Sequence, residues 1–85
     1  MNEPYQPISC EMHDYFEIAC LHRYALRVEL RDGGLLQGWA ADVFSREHVE
    51  YLRLLTHDEH LEIRLDAIRC IEATSHSASF GRVEF

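Results

Sequence analysis

The chain has no lysine: all eight basic residues are arginines, set against fifteen acids, for a formal charge of -7 over 85 residues. That absence removes the P-loop amine, Schiff-base chemistry and lysine general bases together. Cysteine is scarce too. Cys10, Cys20 and Cys70 form an odd, widely spaced set without a CxxC, which argues against a disulfide framework and for reduced, mostly buried thiols. No apolar run approaches the roughly 20 residues of a membrane helix. The opening MNEPYQPISCEMHD lacks a positive charge followed by an apolar stretch, so a cytoplasmic address is expected. There are no internal repeats or low-complexity segments, and no GxSxG, HExxH or Gly-rich phosphate loop. An enzyme is therefore not expected, and no cofactor.

What is present fits one small domain, 1–85, with room for a single core, since a chain this short buries only roughly 60% of its unfolded surface. Both prolines, Pro4 and Pro7, fall in residues 1–8, an extended lead-in. A helix is expected over 9–22. Ser9 and Asp14 are both candidate caps, and Asp14 with Glu17 has capping-box spacing. Helical periodicity gathers Met12, Tyr15, Phe16, Ala19 and Cys20 on a core side. The opposite side carries Asp14, Glu17, Ile18 and Leu21, with Glu11 at its edge. Acids mixed with two aliphatics read as a docking surface, or as a face touching the lead-in or tail.

From Tyr24 the period becomes two: Tyr24, Leu26, Val28 and Leu30 alternate with Ala25, Arg27, Glu29 and Arg31. Asp32-Gly33-Gly34 makes a tight turn into a second strand over 35–44, where Gly38 suggests a bend or bulge. Ser45-Arg46-Glu47-His48 reads as a connection. Further strands are expected over 49–55, 61–66 and 69–73, then a polar connector and a possible edge strand within 74–85. One helix and five or six short strands indicate a small curled sheet or barrel with the helix packed across it.

Charge is uneven over this plan. Arg27, Arg31, Arg53, Arg64 and Arg69 interleave with Glu29, Glu50 and Glu62 on strands, whereas residues 1–22 hold Glu3, Glu11, Asp14 and Glu17 and no arginine. A metal site is weakly suggested by Cys10-x-x-His13 with Cys20-x-His22. On one helix, however, the last two differ by roughly 160° and cannot converge, which leaves Cys20 in the core and the histidines facing solvent. His57-x-x-His60 lacks a second pair of ligands. Trp39 is expected to face outward with Gln37 and Ala41, fit for stacking on a base or anchoring a protein contact, or else for covering a barrel edge.

Leu30, Asp32, Gly33, Gly38 and Asp42, with LRLDAIRCI near the end, resemble the two halves of an Sm-like barrel, here 24–73. More specifically, YQPISC at 5–10, Asp14, Glu17, Ala19 and Cys20, VELRDG at 28–33, Ser45 and Arg46 with VEYL at 49–52, and Leu65, Asp66 and Ile68 resemble the Rho-binding antiterminator family, Rof/YaeO. The chain departs from the family's pattern at Met12, His13 and Glu47. The resemblance implies a helix on an Sm-like five- to six-stranded antiparallel barrel. It implies a monomeric inhibitor that binds the N-terminal, RNA-capturing region of the terminator Rho and blocks RNA loading. Contacts carried over by the resemblance are Asp14 and Glu17 on the helix, with Glu11 as an added acid, and Ser45, Arg46, Glu47 and His48 in the loop. Ile18 and Leu21, from the helix face read above, would add desolvated contact area. An acidic pole on an RNA-type barrel suits a basic RNA-binding groove. The alternative, an Sm-like RNA-binding module, requires the arginines to cluster on one face.

Overall fold

Ser9 starts the helix: its hydroxyl accepts the Met12 backbone N–H at 3.2 Å in a computed structural model that describes residues 4–85. Glu3, assigned above to the acidic pole, lies outside the described residues. The helix, α1, spans Cys10–Leu21, so Asp14 and Glu17 stand within it and not at its cap. Its end is a Schellman motif. Tyr24 N–H bonds Ala19 O at 2.9 Å and Arg23 N–H bonds Cys20 O at 3.3 Å, with Arg23 at φ 53 where glycine is usual. Phe16 and Ala19 are fully buried on the inward side.

Six antiparallel strands follow: β1 Ala25–Leu30, β2 Leu35–Arg46, β3 Val49–Leu55, β4 His60–Arg64, β5 Ile68–Ala73 and β6 Arg82–Glu84, with a 3-10 turn over Leu65–Ala67. Their order is β4-β3-β2-β1-β5-β6, a meander whose fifth strand returns beside the first. The ladder is open, with β4 and β6 at its edges, rather than a closed hydrogen-bonded barrel. It is nonetheless curled. Ile63 of β4 and Val83 of β6, from opposite edges, contact one core that includes Phe16, Leu26, Val28, Leu52, Leu54 and Ile71, an arrangement a flat sheet does not allow.

The β1–β2 turn carries its positive φ at Gly33 (97°). At Gly38 the requirement is proximity. A Cβ there would lie 2.3 Å from the Leu55 carbonyl oxygen, so β3 crosses against bare backbone. The bulge expected at Gly38 sits instead at the register shift between Ala40 and Asp42. Two other boundaries differ from expectation. Residues 65–67 leave the fourth strand as a 3-10 turn, and the connection expected at 45–48 shrinks to two residues, because Ser45 and Arg46 pair with Glu50 and Val49. Glu47 (φ 52) and His48 (φ 68) make that turn, both left-handed as a type I′ hairpin requires.

The chain end is tied in. β6 pairs with β5, Phe85 stacks on Phe16 with ring centroids 4.7 Å apart, and Phe80 meets Tyr15 and Tyr24 edge-on. These rings hold the helix to the sheet from below.

Candidate functional site

Because Phe16 and Ala19 point inward, helical spacing turns Glu11, Asp14 and Glu17 to solvent, and all three are exposed. Asp14, Glu17, Ile18 and Leu21 line a shallow depression of about 470 Å³. The two aliphatics differ. Ile18 is half-buried against the core, while Leu21 is 78% exposed, the most exposed large hydrophobic side chain among the described residues. A second hollow continues from it, lined by Glu17, Cys20, Leu21, Ala41, Asp42 and Val43. Asp42 thus joins the acidic face from β2. Sequence periodicity missed it because the bulge beside it breaks the two-residue alternation that would assign its side.

Among the described residues Glu11 and Asp14 have no ion pair, whereas Glu17 is partly engaged. His13 Nδ1 lies 2.7 Å from Glu17 Oε2, and its Nε2 lies 2.8 Å from Glu50 Oε2, a close contact not aligned as a hydrogen bond. Tyr5 donates to the other Glu50 oxygen at 3.0 Å. His13 is therefore not solvent-facing as the sequence suggested. It is a half-buried brace between helix and sheet, and its distant partner Glu50 could not be read from local spacing. Burial, then the bond to Glu50, pushes the Tyr5 phenol above its ordinary range and keeps it a donor. Burial, with the Asp42 charge adding to it, pushes the Cys20 thiol up to about 12, so that sulfur stays protonated and unreactive.

The predicted loop residues divide between two surfaces. Strand alternation puts Ser45 on the side of Glu50 and hence of the helix, while Arg46 projects from the opposite face. There Arg46 bonds Glu62 at 3.0 Å and lies over the Phe44 and Tyr51 rings at 5.3 and 5.5 Å. Glu47 and His48 form the exposed hairpin tip. The structure thus brings Asp14, Glu17, Ile18 and Leu21 together, leaves Glu11 nearer the helix start on the same solvent side, and sends Arg46 away from them.

Of the thiols expected to be mostly buried only Cys70 is, because Cys10 opens the helix on its solvent side and is exposed, while Cys20 is half-buried. His22 stacks on Tyr24, and His57 packs edge-on against Trp39. Among the described residues no group of three or more His, Cys, Asp or Glu side chains is arranged to hold a metal ion. None of the described helices is long and apolar enough to cross a membrane.

Comparison with known proteins agrees with this fold. The chain is 48% identical over 68 residues to "Protein rof" of Escherichia coli (strain K12) and to "Protein rof" of Shigella flexneri; in each case the alignment spans 80% of this chain and 81% of the relative. Among solved structures it resembles "YaeO bound to Magnesium from Vibrio cholerae O395", with a TM-score of 0.79 and 27% identity, over 85% of this chain and 95% of that one. Residues 7–85 match the family described as "Modulator of Rho-dependent transcription termination (ROF)". With nearly its whole length matched, this chain belongs to the ROF family of modulators of Rho-dependent transcription termination.

Proposed function

We propose that this chain is a non-enzymatic inhibitor that docks its first helix on the N-terminal, RNA-capturing region of Rho and so blocks RNA loading. The observation that carries this reading is the face of α1, where exposed Asp14 and Glu17 flank exposed Leu21 and Glu11 extends the acidic side toward the helix start. A cleft that binds RNA is cationic, and carboxylates displayed on a folded scaffold match it. The acids supply steering and register, while Leu21, with part of Ile18, supplies desolvated contact. Ser45, Glu47 and His48 extend the surface, and Arg46 contributes through the shape of the hairpin. Free in the cytoplasm, the chain acts as a monomer.

The rival reading, an Sm-like RNA-binding module, needs a basic face. Arg46, Arg53, Arg64 and Arg82 are instead bound to carboxylates, and Arg31 to the Asp66 and Phe85 carbonyls.

A pull-down on Rho with and without C-rich RNA tests the proposal. The chain is retained on Rho alone, displaced by the RNA, and retained less as salt rises. Asp14→Arg with Glu17→Arg lowers retention by roughly tenfold or more, about 1.4 kcal/mol or above, while thermal melting stays nearly unchanged. Undiminished binding by that variant would remove the helix from the mechanism.

A further inference from the structure

The outer face of β1 and β2 holds a cleft to which α1 contributes no residue. Strand alternation sends Leu26 and Val28 into the core and turns Ala25 and Arg27 outward, with Gln37 and Trp39 outward on β2. Register sets Ala25 opposite Trp39 and Arg27 opposite Gln37, so a small residue forms the floor between an indole and a guanidinium. Thr56 and His57 from the β3–β4 turn and Thr74 after β5 complete walls around about 470 Å³, the size of one small ligand. The His57 ring meets Trp39 at 5.7 Å and 82°, bracing an indole that remains 43% exposed. Among the described residues Arg27 makes no ion pair, although Glu72 is its register partner on β5, and in this it differs from Arg46, Arg53, Arg64 and Arg82.

These groups select a chemistry. An indole offers a stacking surface for a base, the Gln37 amide offers a donor and an acceptor to a base edge, and a guanidinium takes a phosphate. An extended peptide does not fit, because β1 and β2 are paired on both sides and have no free backbone to offer. Arg27 is the one arginine lining the cleft, and a single cation there suits one phosphate rather than a polyanion track. We infer that this cleft binds a single nucleotide unit, its base against Trp39 and its phosphate at Arg27.

Trp39 is the chain's one tryptophan, so its emission reports on this cleft alone. The full chain is titrated at low salt with UMP, AMP, uridine, inorganic phosphate and a short oligouridine. Both monophosphates quench saturably, uridine binds roughly tenfold more weakly, and phosphate alone does nothing. Oligouridine no tighter per site than UMP identifies free nucleotides as the ligand, and tighter binding identifies a base within RNA. Arg27→Glu and the cleft-filling Ala25→Leu each abolish quenching, and Rho retention persists in both, which separates this inference from the docking proposal. Should Ala25→Leu fail to fold, the exposed Arg27→Glu decides. Absence of quenching by every nucleotide, or quenching that survives Arg27→Glu with its melting intact, would overturn the inference.

Discussion

Two charged surfaces of this molecule use similar residues to opposite ends. On the outer face of β2, β3 and β4, Arg46 and Arg53 share Glu62 at 3.0 and 3.3 Å, and both guanidinium groups lie over the Phe44 ring, which itself stacks on Tyr51. Those charges are consumed internally: the bonds from Arg46 hold the Glu62 carboxyl below its usual range and Glu62 holds Arg46 charged. On α1, Glu11 and Asp14 have no such partner among the described residues, and Leu21 lies beside Asp14 and Glu17 with its surface in water. A surface whose charges are mutually neutralised has little left for a partner, whereas one with unpaired charge of one sign around an apolar centre is incomplete by itself. Net charge alone does not separate the two; pairing does.

The largest effect comes from detaching one surface from the other. Phe16 is fully buried, stacks on Phe85, and carries the helix onto the core. Phe16→Ala is expected to cost about 3–5 kcal/mol in urea denaturation, the usual range for a buried aromatic, and to lower Rho retention with it. A loss below about 1 kcal/mol would mean that the helix is an appendage whose acids owe nothing to the sheet.

A smaller effect probes the hairpin tip between the two faces. Glu47 and His48 both hold left-handed backbone that costs an ordinary residue about 1–2 kcal/mol and that Asn-Gly adopts without strain. Glu47→Asn with His48→Gly is therefore expected to raise stability by about 1 kcal/mol and the melting temperature by about 4–8 °C. If the tip belongs to the docking surface, Rho retention falls as stability rises, the signature of strain kept for function. Unchanged retention would assign the docking surface to α1 alone.

How legible all this was in the sequence depended on how local the cause was. Leu26 and Val28 alternate visibly because one face of β1 is buried, and Gly33 marks its turn because only glycine takes that backbone freely. The helix and its outward Asp14 and Glu17 follow from a 3.6 period and hold in the structure. Ser45 and Arg46 were hidden as strand because polar residues near a hairpin tip look like a loop, and the turn beyond them carries no glycine to mark it. Asp42 depends on a bulge, and His13 on a carboxylate from another strand. Neither cause leaves a local pattern. The cleft at Trp39 was half legible: the outward Trp39 and Gln37 follow from alternation, but Arg27, His57 and Thr74 reach it only through sheet order.

The smallest effect sharpens the comparison by pH. Asp66 is a paired carboxylate far from the helix acids: Arg64 reaches it at 2.7 and 3.0 Å, and the Gln6 backbone N–H bonds it at 2.9 Å, tying the lead-in to the sheet. Burial pushes its carboxyl up, yet these bonds outweigh burial and hold it below the ordinary aspartate range. A carboxyl depressed in the folded state binds fewer protons there than in the unfolded chain. Its contribution is accordingly present above the unfolded value of about 3.9 and disappears as pH falls through the lower folded value. Asp66→Asn should melt below the parent chain at pH 7, and the gap should close in acid. Asp14→Asn, on the unpaired surface, should leave melting unchanged across the same range while weakening Rho retention at neutral pH. If instead Asp14→Asn shifts the melt and Asp66→Asn does not, the division between satisfied and unsatisfied charge is drawn in the wrong place, and the helix acids belong to the fold rather than to a partner.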